Sequence, residues 1–440
     1  MNSNIEGRDA ESRLASLGRR LFLDKLKGFS PVKTGEVNNH VHTIYSFSPY
    51  SPAQAAYNAW LAGLDAVGIV DHESVSGCGE MIEAARLIGI AATLGCELRA
   101  DAAGTAIEGR LINNPDSAGI FYVVIHGIPR NALQEIDGYM AGIRLARRAR
   151  SLRQVEGLNE ILEASGIPRL DFNKDVAALS CADEGGSITE RHILYALALR
   201  MKECYGRGAR LVRAIESSFG IKVPTAIAMK LSDERNPHFA YDLLGFFKAH
   251  LLQRIFIQPD KGECPPVREI IKLAERAGAI ACYPYLGDVG DSPTGDKKPR
   301  RYEDDWLGLL FDTITKLGFR ALSYMPPRNS IEQLRRVREK CVEKGLMEIS
   351  GVDINSSRQL FSCPELQRPE FAHLGDSTWA LIAHEQISSH GGYGLFSSDS
   401  PLADSPLKTR LNVYVRLGRG MDPFKPESIM INAKKEGLCG

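Results

Sequence analysis

The chain has no surplus of either charge: 54 Lys and Arg face 54 Asp and Glu in 440 residues. That balance argues against a general nucleic-acid coat or membrane-surface binder and leaves room only for a local basic patch. Its nine cysteines are scattered, odd in number and without a CxxC pair, so no disulfide framework is expected; they read as reduced thiols of a cytoplasmic protein. No apolar run approaches membrane-spanning length, and the N-terminus lacks a signal-peptide pattern. There is no internal repeat and no low-complexity tract. The length is too great for one small core and calls for a barrel-sized domain with an inserted or appended piece.

What the chain does have is concentrated in residues 37–73. His40-x-His42 ends one short apolar run and Asp71-His72 ends another. Between them, Ser51, Pro52 and Gln54 read as helix N-cap, first-turn proline and capping-box partner. Ala56, Trp60 and Leu64 then repeat at helical spacing. The stretch is therefore strand, helix, strand, with imidazoles at both strand ends. Two His one residue apart point the same way from an extended strand, a geometry for chelating one ion. In parallel α/β architectures the C-terminal strand ends are where ligands bind.

The pattern continues. GCGEMIEAARLIG reads as a helix, IAATLGCELRA as a strand ending in Glu97, and AGIFYVVIHG as a strand ending in His126. Three consecutive strand ends thus each present a residue able to ligate metal, in the mixed His and carboxylate set that suits Zn, Mn or Fe. From 130 to 255 strand signals stop and Arg-rich helical patterns take over. Alternation resumes with strands at IACYPYL, ALSYM and LMEISGVDIN, the last ending on Asp353. About seven strand–helix units make a TIM-like barrel the natural closure. The expected organisation is an N-terminal helical arm (1–36, with an amphipathic helix over 8–28 packing on the domain), a barrel in two parts (37–129 and 256–390), a helical insertion (130–255) and a C-terminal extension (391–440) with one strand-like run, LNVYVRL.

The set His40-x-His42-Thr43, Tyr45-Ser46, Gly63-Leu64-Asp65, Val70-Asp71-His72, Gly95-x-Glu97, His126 and Gly351-Val352-Asp353 resembles the PHP (polymerase and histidinol phosphatase) family of metal-dependent phosphoesterases. The resemblance implies an α/β fold built as a distorted (β/α)7 TIM-like barrel, with up to three divalent metals at its C-terminal mouth. The long insertion, with Ile188-Thr189-Glu190-Arg191-His192, is similar to the branch of nucleotide phosphatases and 5′-to-3′ exoribonucleases. Three positions depart from the family: Phe47 follows Ser46 where an Asp is usual, Tyr283 precedes Pro284 where a His is usual, and Asn355 stands where Asp-x-His would end. The resemblance implies one full metal position (His40, His42, Glu97, Asp353), a second with Glu97 and His126 and Tyr283 as the candidate substitute ligand, and a third reduced to His72. One or two divalent ions (Mn, Zn, Fe or Mg) are expected.

Each residue also has a plainer reading. Glu97 is a bridging carboxylate or a salt-bridge Glu. Asp71 orients the His72 imidazole or makes a buried structural hydrogen bond. Tyr283 is a phenolate ligand, a donor to substrate, or a packed barrel tyrosine. Arg328, just past a strand end, holds phosphate or lies on the surface; Arg191 and His192 contact phosphate or cover a helix. The basic run 297–301 steers a phosphodiester or is a solvated face, and Thr294-Gly295-Asp296 carries no phosphate-loop fingerprint. The expected activity is hydrolysis of a nucleotide, short nucleic acid or small phosphorylated metabolite by metal-activated water, with no membrane partner. The alternatives are a metal- or ligand-binding module of weak or no catalysis, and hydrolysis of a non-phosphate bond.

Overall fold

The computed structural model describes residues 5–288 and 301–439. The 294–296 loop and all of the basic run except Arg301 lie outside them. The first element is α1 (Ala10–Leu26), capped by Asp9, whose side chain accepts from the Ser12 amide at 2.8 Å. Next come β1 (Val37–Val41), α2 (Pro52–Leu61), β2 (Ala66–His72), α3 (Cys78–Ile88), β3 (Ala91–Asp101) and β4 (Ile120–His126). Ser51 caps α2 as its sequence predicts, accepting from the Gln54 amide at 3.2 Å.

A helical insertion follows, with α4 (Leu133–Ala164), α5 (Glu190–Tyr205), α6 (Ala209–Phe219), α7 (Thr225–Ser232), α8 (Phe239–His250) and α9 (Leu252–Ile255). The barrel then resumes with α10 (Val267–Arg276), β5 (Ile280–Pro284), α11 (Leu307–Leu317), β6 (Ala321–Tyr324), α12 (Ile331–Lys344), β7 (Met347–Ser350) and α13 (Ala372–Ser389), before α14 (Leu407–Arg419) and α15 (Ile429–Lys435).

The described strands form one seven-stranded sheet in chain order β1 to β7. It curls until its edges meet: a parallel bridge joins Val41 to Ile354, and the His42 amide donates to the Ile354 carbonyl at 2.9 Å. The architecture is the distorted TIM-like barrel with a helical insertion. The distortion is β4, which runs antiparallel to both β3 and β5 while all other pairings are parallel. Strands of a βαβ unit need a crossover helix to run parallel. Between β3 and β4 there is only a loop, so the chain reverses there.

Two apolar cores exist. One lies between barrel and outer helices; the other fills the insertion around Leu158, Leu197, Ile215 and Phe247. Phe47 of the β1 loop belongs to the second core. Its ring meets the His192 ring edge-on, centroids 4.9 Å apart, so the insertion sits directly over that loop.

One sequence expectation is corrected. LNVYVRL is not a strand but the middle of α14, with Tyr414, Leu417 and Gly418 buried at helical spacing. It has no strand edge to join and packs on α13 instead. Gly418 permits that approach, because a Cβ there would lie 2.1 Å from the Trp379 carbonyl oxygen. The N-terminal helix packs on the domain through Leu14, Leu17 and Leu21, with Arg13 and Asp24 buried beside them.

Candidate metal centre

β1 carries His40 one residue before its end, and the next turn carries His42-Thr43-Ile44-Tyr45-Ser46. Asp71, one residue from the end of β2, pins that turn. It accepts from the Thr43 amide, the Thr43 hydroxyl and the Ser46 hydroxyl, each at 2.6 Å. Ser46 Oγ in turn lies 3.2 Å from His42 Nδ1. Asp71 therefore orients His42 through Ser46, and it makes no contact with the imidazole of its neighbour His72. Desolvation raises the Asp71 pKa against these hydrogen bonds. The role expected for Asp71 at His72 is thus transferred to His42.

The three imidazoles of His40, His42 and His72 gather in one cluster, with ring centroids 5.1 Å apart for the first pair and 4.6 Å for the second. His42 Nε2 lies 3.4 Å from Asp353 Oδ1, and His40 Nε2 lies 4.0 Å from Glu97 Oε1. His72 Nδ1 lies 3.0 Å from Glu97 Oε2. Burial, and then the neighbouring His72, push His42 down to about 3, leaving it a neutral nitrogen donor. Burial would raise Glu97, but the three histidines outweigh it and hold the carboxylate low. Two sets of donor atoms, His40/His42/Asp353 and His42/His72/Glu97, each fall within 4.8 Å. Imidazoles converging with carboxylates form a donor set that fits a divalent cation. Asp353 is the most exposed member, so the centre opens to solvent on its side.

Supporting contacts fix these donors. Asn355 Nδ2 donates to Asp353 Oδ1 at 2.6 Å, so the residue at a usual ligand position here orients a carboxylate. Gly351 passes β1 so closely that a Cβ there would lie 2.6 Å from His40 Cβ. β1 is anchored from outside the mouth: Asn39 Nδ2 donates to the Ser350 carbonyl and to the α13 hydroxyl of Thr378 at 2.9 and 2.8 Å.

Other expected residues lie elsewhere. His126 is outside both donor sets because β4 runs backwards: it pairs with Gly95, while Glu97 faces Val124. It is buried, with no hydrogen-bond partner on either ring nitrogen, and burial followed by His40 pushes it down to about 3. Tyr283 does not face the mouth. Its ring lies against Phe121 and Phe319, and its hydroxyl donates to Glu303. His192 caps α5, its Nδ1 accepting from the Thr189 amide at 3.0 Å, and is buried. Arg191 is half-buried on the same turn. Arg328, on the rim after β6, donates from Nε to the Leu286 carbonyl at 3.4 Å.

Sequence reasoning missed Tyr122, whose ring stands 5.8 Å from that of His72. Alternation along AGIFYVVIHG places it on the same strand face as His126, a signal that was legible. It also missed Arg99 and Glu73, which fasten the site to the insertion. Glu73 directly follows His72 and is the non-glycine residue with positive φ (+46°) among the described residues. It is held there by Arg147 and by Ser187, whose hydroxyl donates to it at 3.1 Å.

Comparison with known proteins finds no matching family model and no matching curated protein. Among solved structures, the chain is similar to a protein from Bifidobacterium adolescentis assigned as a metal-dependent phosphoesterase. The two share 20% identity over 77% of this chain and 96% of that one, with a TM-score of 0.49. It is also similar to an amidohydrolase from Chromobacterium violaceum with bound sulfate and no metal, at 16% identity over 78% and 96% of the two chains, with a TM-score of 0.47.

Proposed function

We propose that this chain is a metal-dependent hydrolase acting on phosphate esters: a nucleotide, a short oligonucleotide or a small phosphorylated metabolite. The observation that carries this reading is the convergence of His40, His42, His72, Glu97 and Asp353 at the open mouth of a barrel. A divalent ion held there supplies an activated water at neutral pH and cover for developing negative charge. The protein's own part is orientation. Asp71 and Ser46 set the His42 ring, and Asn355 sets Asp353. Glu97, 4.0 Å from His40 Nε2 and 3.0 Å from His72 Nδ1, would be a carboxylate donor beside both imidazoles. The unpartnered nitrogens of His126 offer a further donor deeper in the barrel. Arg328 on the rim, and Arg191 on the insertion, supply positive charge suited to a phosphate approaching from the Asp353 side.

Metal analysis of the purified protein, followed by a screen of phosphate esters with Mn, Zn, Fe or Mg added, tests the proposal. His40→Ala is expected to lower metal content and abolish hydrolysis with the far-ultraviolet dichroism unchanged, since a ligand at a strand end does not carry the barrel's stability. Wild-type turnover in that variant would refute the site. Stoichiometric metal with no turnover on any phosphate ester would instead assign the chain as a metal-binding module.

A further inference from the structure

The helix α1 has two apolar faces. The inner one, Leu14, Leu17 and Leu21, packs on the barrel core, flanked by Arg13, which donates to Glu80 from Nε at 3.0 Å and Nη2 at 2.6 Å, and Asp24, which accepts from Tyr57 and Arg20 at 2.6 and 3.2 Å. A second set of large apolar residues faces outward. Phe22, Leu23 and Leu26 on the last turns are 62%, 49% and 68% exposed, and Phe29 and Val32 just beyond are 46% and 85% exposed. A surface helix ordinarily turns such a stripe toward the core, and a cluster of exposed large apolar side chains marks an interaction surface.

The rim of this patch is basic. Arg19, Lys25, Lys27 and Lys33 are exposed, while the acidic residue of the segment, Asp24, is buried. Lys33 shares an exposed contact of 3.3 Å with Asp65. The zero net charge of the chain conceals this local surface. A second copy of the chain is disfavoured as its cover, because a twofold contact sets the same cations against one another. The patch is the outer face of a helix end, not a groove that would receive a peptide strand. Apolar side chains flanked by Lys and Arg on a convex helix match a lipid interface, where long basic stems reach the headgroups while the apolar tips enter the acyl boundary.

Its position fits. Thr34, at the edge of the patch, donates from its amide to the Gly63 carbonyl at 2.9 Å, in the loop that leads into β2. The patch therefore lies at the N-terminal end of the barrel, opposite the metal centre at the C-terminal ends. We propose that the last turn of α1 and residues 27–33 dock the protein peripherally onto an anionic lipid surface, leaving the barrel mouth facing solvent. No helix among the described residues is long and apolar enough to cross a membrane, so the contact would be superficial.

Cosedimentation of the full chain with phosphatidylcholine vesicles, alone or containing phosphatidylserine, tests this. Binding is expected to the serine-lipid vesicles and not to phosphatidylcholine alone, and to weaken as salt is raised. Phe22→Glu with Leu26→Glu should reduce partitioning by about tenfold or more, with unchanged dichroism because both sites are exposed. Lys25→Glu with Lys27→Glu should also reduce it, by roughly fivefold or more per residue. Absence of binding to phosphatidylserine vesicles at low salt, or undiminished binding by the double-glutamate variants, would overturn the proposal. So would a wild-type dimer that Phe22→Glu with Leu26→Glu converts to monomer, which would assign the patch to self-association.

Discussion

Glu303 is a carboxylate with no counter-ion among the described residues. It is fully buried and takes hydrogen bonds from Tyr283 and from the Leu286 and Gly287 amides at 3.3 and 3.1 Å. Burial outweighs these donors and pushes it up to about 7 from an ordinary 4.5. The folded state thus binds a proton more tightly than the unfolded chain, so its contribution to stability is present below about pH 4.5 and is lost as pH rises through about 7. Glu303→Gln mimics the protonated form at every pH. The stability difference between wild type and this variant should shift against wild type by about 3 kcal/mol between pH 4.5 and 8; a difference independent of pH in denaturant titrations would show that Glu303 is ionised throughout. Tyr283, its partner, shows what sequence cannot give. Whether a strand residue faces the lumen or the outer layer depends on register against neighbours that local pattern does not encode. The candidate donors His40, His42, His72 and Asp353 were legible because each sits at or just past a strand end, whereas Glu97 lies inside β3, level with His72. His126 reads the same way, yet β4 is reversed, and nothing within ten residues of it announces that.

At the scale of elements, the insertion is locked to the barrel by charge. Glu73 after β2, Glu190 on α5 and Glu263 before α10 face Arg99 of β3 and Arg147 and Arg150 of α4. Three carboxylates balance three guanidinium groups, all nearly buried. Burial opposes ionisation of Glu190, but Arg147, Arg150 and Arg99 outweigh it and hold the carboxylate well below its usual range. Removing one partner from such a set leaves a buried charge uncompensated, at a cost of about 3–5 kcal/mol. Glu263 takes bonds from Arg99 and from both Nε and Nη2 of Arg150, the last two at 2.6 and 2.7 Å. Glu263→Gln should therefore lower the thermal unfolding midpoint by several degrees, whereas Glu234→Gln, exposed on the insertion, should not; equal midpoints in calorimetry would refute the lock. The Arg-rich α4 was legible as a helix, but the role of its arginines was not, because their partners lie in three other segments. α14 was misread for a related reason. The alternation in LNVYVRL suits a strand, and burial on α13 overrides that weak preference.

In the whole molecule, the insertion and the candidate metal centre meet a second time, here at a part-exposed contact. The loop after β7 carries Asp353 and then, within six residues, Asn355, Ser357, Arg358 and Gln359. Gln359 ties the loop to itself, its Nε2 donating to the Asp353 carbonyl at 2.5 Å and its Oε1 accepting from the Asn355 amide at 2.8 Å. Arg358 reaches across to α8 and holds Asp242 by a two-pronged contact, Nη2 to Oδ2 being 2.7 Å. Beside it, His238 Nδ1 lies 2.8 Å from Ser357 Oγ. A movement of α8 would therefore be transmitted to the loop that positions Asp353, the most exposed of the candidate donors. The guanidinium is part-exposed, so the pair contributes about 1 kcal/mol rather than the several of the buried lock. Arg358→Met keeps the stem and removes the fork. It should weaken metal affinity, or raise KM, by roughly fivefold, with the unfolding midpoint nearly unchanged and faster amide exchange over 353–359. Calorimetric metal titration with exchange measurements decides this: unaltered affinity together with unaltered exchange would show that the two halves of the molecule, though joined at Arg358, are not coupled there.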